Sequence, residues 1–188
     1  MPIAFTKLEP AYKALNAGQL EQAHALALRL VQAHPQAPEA AGLMRLVCMA
    51  KQQMPQAVFY ARRLADLAPT DPHARADLGE TLIHAGHTDE GVAIFEALLA
   101  SHAHEAAMGV RYATLLLQMR RAADAERVCR ASLEAHPHER GLWSCLSSSL
   151  LEQGRAGDAV EIMQRLVRQR DDSLEVVAHL ASAITYEQ

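Results

Sequence analysis

A period of 34 residues constrains the fold of this chain more than any other feature of its sequence. One column of small side chains follows the period without a break: Ala23, Ala57, Gly91, Ala125 and Ala159. A fixed period of this size is typical of stacked supersecondary units that share one continuous core. It predicts a solenoid that presents a long surface, rather than a globular enzyme built around one pocket.

Two further columns follow the same period and predict how each unit is built. The first is mostly leucine and is expected to fill the layer between helices: Leu30, Leu64, Leu98, Ser132 and Leu166. The second is mostly proline and falls where the last helix of each unit must stop, because proline cannot continue a helix: Pro35, Pro69, Ala103, Pro137 and Asp171.

Each unit contains two helical patterns separated by a short break. In the third unit, Asp71 and Pro72 open the first helix and Gly86 ends it, since glycine readily adopts the left-handed conformation past a helix end. The second helix is predicted to begin near Thr88 and Asp89, which are good N-capping types. The breaks in the other units fall at Gly18, Gln52, Arg120 and Gly154.

These residues resemble the tetratricopeptide repeat, whose pattern is W-x2-L-G-x2-Y, then A-x3-F, then P. The third unit carries Leu78, Gly79, Gly86, Gly91 and Phe95, and the fifth carries Trp143, Leu146, Ser147, Gly154 and Ala159. The resemblance covers residues 4–173. The chain departs from the pattern where Arg45 takes the close-packing position of Gly79 and where Gln52 and Arg120 replace the turn glycine.

The resemblance implies an all-α fold, a right-handed superhelical solenoid of antiparallel helix pairs. Residues 1–173 are expected to hold five repeats: 4–37, 38–71, 72–105, 106–139 and 140–173. Residues 174–188 show one more helical pattern, for which Ser173 is the expected N-cap. This segment is interpreted either as a capping helix or as the first helix of a truncated sixth repeat, and both the oligomeric state and the completeness of the chain stay open.

Charge and cysteine content exclude several classes of protein. The net charge is −4 and no basic stripe is present, which argues against a nucleic-acid partner. No apolar run is long enough to span a membrane and no secretory signal is visible. Cys48, Cys129 and Cys145 form no close pair, which fits a reducing compartment. The sequence therefore predicts a cytoplasmic protein, and its Arg- and Ala-rich composition suggests a bacterial source.

In the family that the chain resembles, the first helix of each repeat lines a concave groove. A column on that helix is apolar in all five units: Leu15, Met49, Ile83, Leu117 and Leu151. Neighbouring positions complete the predicted partner-binding set: Leu43, Leu46, Asp77, Glu80, Val110 and Arg111. An apolar strip with polar neighbours fits a bound peptide or amphipathic helix. The alternative is that the column packs against adjacent helices as core.

No catalytic, metal or cofactor site is predicted. His34, His102 and His136 share one position at a helix C-terminus, where a histidine interacts favourably with the last carbonyls. The leading functional prediction is a non-catalytic scaffold that binds a protein or peptide. The alternatives are the N-terminal repeat arm of a larger bacterial glycosyltransferase or sulfotransferase, and a scaffold that self-assembles through its open C-terminal end.

Overall fold

A computed structural model describes residues 3–101 and 105–168. Within these ranges the chain forms ten α-helices and no strand, which confirms the predicted all-α fold. The helices are α1 (Phe5–Asn16), α2 (Leu20–Ala33), α3 (Pro38–Ala50), α4 (Met54–Leu67), α5 (Pro72–His84), α6 (Thr88–Ser101), α7 (Ala106–Gln118), α8 (Ala122–Ala135), α9 (Arg140–Glu152) and α10 (Ala156–Arg168).

The five predicted breaks all contain one residue with a positive φ angle: Gly18 (72°), Gln52 (59°), Gly86 (88°), Arg120 (59°) and Gly154 (74°). Gln52 therefore adopts the left-handed conformation that Gly86 adopts, although a side chain disfavours it. The backbone hydrogen bonds of the turn are kept, with the N–H of Gln52 donating to Met49 at 2.9 Å. The turn is thus set by the packing of the two helices rather than by glycine alone.

The opening of α5 follows the prediction, whereas that of α6 differs slightly. Asp71 precedes α5, and its carboxylate accepts the backbone N–H of His73 at 2.9 Å. Thr88 is already the first residue of α6, so Thr88 and Asp89 lie inside the first turn instead of capping it. An acidic residue in that turn is still favourable, because the helix dipole is positive there.

The chain divides into two compact units, each of which contains more than one repeat. They are called the first and the second unit from here on, and the first comprises residues 1–98. In this unit each of α1 to α4 packs against the next helix along the chain. The small-residue column is fully buried at Ala23, Ala57 and Gly91. The closest backbone approach involves Gly79 and Gly91, because a Cβ atom built on Gly91 would lie 2.5 Å from the Gly79 carbonyl oxygen.

The second unit comprises residues 99–188, of which 99–101 and 105–168 are described. Here α7 packs against α8, α8 against α9 and α9 against α10, and α7 also contacts α9. Ala125 and Ala159 continue the buried small-residue column, and Cys129 is buried as a small apolar filler. The predicted segment 174–188 lies outside the described residues, and the repeat boundaries stay predictions.

Glu126 joins α8 to the turn before α10 through a charged cluster. Its carboxylate accepts hydrogen bonds from Gln153 Nε2 at 2.8 Å, Arg130 Nη2 at 2.9 Å and Arg155 Nη1 at 3.0 Å. Burial alone would raise the pKa of Glu126, but these donors outweigh it and lower the pKa. The ionised form of Glu126 is therefore the one that the folded unit prefers.

Candidate functional site

A buried arginine lies inside the first unit, at the position where the four other repeats carry small residues. Those residues are Ala11, Gly79, Ala113 and Ser147. Arg45 is only 5% exposed. Its Nη2 lies 3.0 Å from Asp77 Oδ2, and its Nη1 donates to Met49 Sδ at 3.2 Å and to Thr81 Oγ1 at 3.3 Å. These contacts tie α3 to α5.

The pair formed by Arg45 and Asp77 is nearly buried, since the Asp77 side chain is 24% exposed. Burying two charges is costly, and breaking such a pair is costlier because it leaves one charge without a partner. Tyr12 lies in the same electrostatic environment: burial raises the pKa of its hydroxyl, Arg45 lowers it and Asp77 raises it. Asp77 therefore neutralises Arg45 inside the fold. Part of its negative charge is used there, although the sequence predicted that Asp77 would contact a partner.

A cavity of about 440 Å³ lies beside this pair, and all of its lining residues belong to the first unit. Its apolar part comes from Leu8, Pro38, Gly42, Leu64, Ala68 and Ala74, and its polar part from Tyr12, Glu39, Asp71, His73 and Asp77. Helices α1, α3 and α5 all contribute to this lining. Clefts of this size, mostly apolar with a few polar groups, are typical of ligand sites.

Gly42 helps to open the cavity. The matching positions in the other repeats hold Leu8, Ala76, Val110 and Ser144, so Gly42 alone has no side chain. A Cβ atom built there would make only an ordinary contact, 3.6 Å from Leu64 Cδ2. Gly42 therefore leaves room for a methyl-sized group beside Leu64 at this point of the lining.

The second unit has a cavity of its own, of about 510 Å³. It is lined by Arg120, Ala122, Ser148, Leu151 and Glu152. Arg120 Nη1 lies 3.7 Å from Glu152 Oε1, so these two lining residues form a long ion pair. Leu151 is the residue of the predicted binding set that this cavity contains.

The predicted binding residues divide into buried and partly exposed groups. Leu43 is 0% exposed and belongs to the same buried cluster as Leu8 and Val47. The prediction that Leu43 is a surface anchor is therefore wrong, because its side chain is enclosed where α3 packs against its neighbouring helices. Ile83 is 8% exposed because it packs towards Gly91 of α6. Nine residues stay partly exposed: Leu15, Leu46, Met49, Asp77, Glu80, Val110, Arg111, Leu117 and Leu151.

Several of the partly exposed residues also serve the packing of their unit. Leu15 and Met49 pack against the core of the first unit. Val110 approaches α9 so closely that a Cβ on Gly141 would lie 2.9 Å from its Cγ2. Part of the apolar column therefore packs as core. Of the predicted binding residues on α3, Leu46 is the one that is partly exposed and outside the core cluster.

The structure also contains features that the sequence analysis missed. The ion pair of Arg45 with Asp77 joins positions 32 residues apart, and the only sequence signal was an arginine in a close-packing position. Glu39 and Gly42 had no signal at all, because their importance comes from the cavity between three helices. Phe59, on α4, is 57% exposed and was also not singled out.

The histidines and cysteines of the described part of the chain form no recognisable metal site. No group of three or more His, Cys, Asp or Glu side chains within residues 3–101 and 105–168 could hold a metal ion. His34 and His136 are the C-cap residues of α2 and α8, as the helix-end interpretation predicts. Cys129 is a free thiol whose pKa is raised by a hydrogen bond with Cys145 and by burial.

The helix pairs, the left-handed turns and the buried small-residue column define a helical repeat protein, the class of solenoids that act as interaction scaffolds. Profiles described as tetratricopeptide repeat match residues 49–111 and 110–174. The chain belongs to the tetratricopeptide repeat family. No described helix is long and apolar enough to cross a membrane.

Solved structures share this fold at low sequence identity. A thermophilic tetratricopeptide repeat protein of Thermus thermophilus is 17% identical, with a TM-score of 0.68 over 96% of this chain and 98% of that one. MamA of Desulfovibrio magneticus is 15% identical, with a TM-score of 0.63 over 89% and 96%. YrrB, a repeat protein with an unusual peptide-binding site, is 12% identical, with a TM-score of 0.57 over 94% and 91%. No curated protein sequence matches this chain significantly.

Proposed function

We propose that this protein is a non-catalytic scaffold that binds a peptide or amphipathic helix of a partner protein. Each unit carries its own binding surface: the partly exposed residues of α1, α3 and α5 in the first unit, and those of α7 and α9 in the second. The observation that carries the proposal is the cavity of about 440 Å³, because it offers an apolar lining with polar groups beside these residues. YrrB, which has a similar fold, is described as having an unusual peptide-binding site.

In the second unit the same proposal rests on the residues around Leu151. The cavity there brings Leu151 beside a charged pair, and Leu117 and Arg111 are partly exposed on α7. Each unit thus has apolar side chains for anchoring a segment and charged side chains for orienting it. A few such anchors dominate most protein interfaces.

The experiment is a selection of random dodecapeptides, displayed on phage, against the full chain, followed by affinity measurements on the selected peptides. Leu46→Asp is the test variant, since Leu46 is partly exposed and does not belong to the buried core cluster. We expect it to weaken binding by about tenfold or more, as the loss of an anchor does. Met49→Asp is less suitable, because the sulfur of Met49 accepts a hydrogen bond from buried Arg45.

The matched control is Phe59→Asp, which places the same charge on α4, away from the proposed surface. Phe59 is well exposed, so this change leaves the core intact. Far-UV circular dichroism verifies that both variants fold. If Leu46→Asp binds the selected peptides as tightly as the wild type and Phe59→Asp does not bind them, the proposed surface is wrong. The peptides would then bind to α4, the second helix of its repeat.

The two alternative functions receive no support from a specific feature of the described residues. A repeat arm of a glycosyltransferase or sulfotransferase, and self-assembly through residues 174–188, stay predictions from the sequence. The same holds for the cytoplasmic location and the bacterial source.

A further inference from the structure

We infer that the cavity of the first unit binds a basic side chain, arginine or lysine, of the partner peptide, with Glu39 as its counter-charge. This inference rests on the proposed function and names the chemistry of the ligand. Glu39 lies in the first turn of α3 and lines the cavity. Its Oε2 atom is buried and accepts no hydrogen bond from the described residues.

The unpaired Oε2 atom is the unusual element here, although the Glu39 side chain as a whole is partly exposed. Buried polar atoms in native proteins almost always have a hydrogen-bond partner, and leaving one without a partner is costly. The first turn of a helix favours an anion, but this effect does not replace a hydrogen-bond donor. A cationic group from a ligand would supply the missing donor and the missing charge together.

The other charges around the cavity strengthen the inference. Glu39, Asp71 and Asp77 contribute carboxylates to the lining, and no lysine or arginine among the described residues contributes to it. The buried cation beside it, Arg45, already pairs with Asp77 at 3.0 Å. Asp71 accepts the backbone N–H of His73. The lining therefore carries more acidic than basic side chains, which favours a cationic ligand.

The remaining lining specifies a side chain rather than a free ion. Leu8, Leu64 and Ala74 provide apolar walls, and Gly42 leaves space between them. Lysine and arginine bury an aliphatic stem against apolar surface while their charged end seeks polar groups. A metal ion would need several converging ligands, and no such group lies within the described ranges.

The test uses the full chain and the peptides selected from the random dodecapeptide library. We expect the selected sequences to share one arginine or lysine at a fixed distance from an apolar residue. The strongest binder is then synthesised with that residue replaced by norleucine, which keeps the stem and removes the charge. The wild type should bind the norleucine peptide about tenfold more weakly, and Glu39→Gln should bind the basic peptide about tenfold more weakly.

The decisive comparison is the cycle of two proteins and two peptides. Glu39→Gln should bind the basic and the norleucine peptides almost equally, because the charge has lost its partner. Glu90→Gln is the matched control and should bind like the wild type, since it removes the same charge from the exposed pair with Arg62. If Glu39→Gln does not fold, the norleucine peptide on the wild type still decides whether the protein binds a basic side chain.

Two results would overturn the inference in different ways. Selected peptides without a fixed basic residue, or equal binding of the basic and norleucine peptides, would refute the role of Glu39 and leave the proposed function standing. Failure to select any peptide would refute the proposed function as well.

Discussion

Replacing Gly91 with alanine should destabilise the protein, although alanine is the residue found at this position in all four other repeats. The new Cβ would lie 2.5 Å from the carbonyl oxygen of Gly79 and 2.6 Å from Ile83 Cγ1. Real Cβ contacts are essentially never this short. One of the two atoms is backbone, so relief requires α5 and α6 to move apart.

The expected magnitude follows from two opposing effects. A glycine-to-alanine change in a helix interior gains about 1 kcal/mol from backbone entropy. Overpacking of a close contact costs about 1–3 kcal/mol, and both short contacts place Gly91→Ala towards the upper end of that range. The net loss in the free energy of unfolding should be about 1–2 kcal/mol.

Gly42→Ala is the matched control, because it is the same chemical change in a helix where the nearest atom would be 3.6 Å away. It should stabilise the protein by about 0.5–1 kcal/mol. Equilibrium denaturation in urea, followed by far-UV circular dichroism, measures both changes. The reasoning about close packing is refuted if Gly91→Ala is as stable as the wild type or as Gly42→Ala.

Three further predictions concern stability. Asp77→Ala should lower the free energy of unfolding by about 2–3 kcal/mol in denaturant melts, because it leaves the buried Arg45 without its carboxylate partner. This is somewhat less than the loss for a fully buried pair, and a loss below about 0.5 kcal/mol would show that water replaces the carboxylate. Gln52→Gly should raise the free energy of unfolding by about 0.5–1 kcal/mol, since glycine adopts the positive φ angle of 59° without strain; no gain would mean that the side chain makes a compensating contact. Glu126 has a lowered pKa in the folded state, so its contribution to the free energy of unfolding is present above pH 4.5 and is lost as the pH falls through the lowered folded-state pKa. The stability of Glu126→Gln, measured in melts from neutral to acid pH, should therefore depend less on pH than that of the wild type. An unchanged pH profile would contradict this.

The 34-residue period, the helical patterns within it and the resemblance to the tetratricopeptide repeat were enough to predict the fold class and the helix-turn-helix plan. Those properties depend on local patterns: apolar residues at helical spacing, small residues where helices touch, and breaks at constant positions. The left-handed turns could also be located, even at Gln52 and Arg120, because the period marks the position whatever residue occupies it.

The candidate site could be predicted only in part, because the period assigns residues to columns but not to neighbours. Leu43 and Leu46 lie on the same helix in adjacent columns, yet Leu43 is enclosed by the core and Leu46 is partly exposed. Only the packing of each helix against its neighbours decides which side chains keep contact with solvent. The sequence placed both residues on the groove, and the role of the partly exposed Leu46 stays a prediction.

The chemistry of the cavity was decided by the tertiary structure. Glu39 and Gly42 are ordinary residues in sequence, and they become distinctive because α1, α3 and α5 enclose a space around them. Arg45 and Asp77 meet because two helices from successive repeats pack side by side. The sequence by itself therefore determined the repeating scaffold, which depends on short-range patterns, whereas the site depends on charges and space that come together only when distant segments pack.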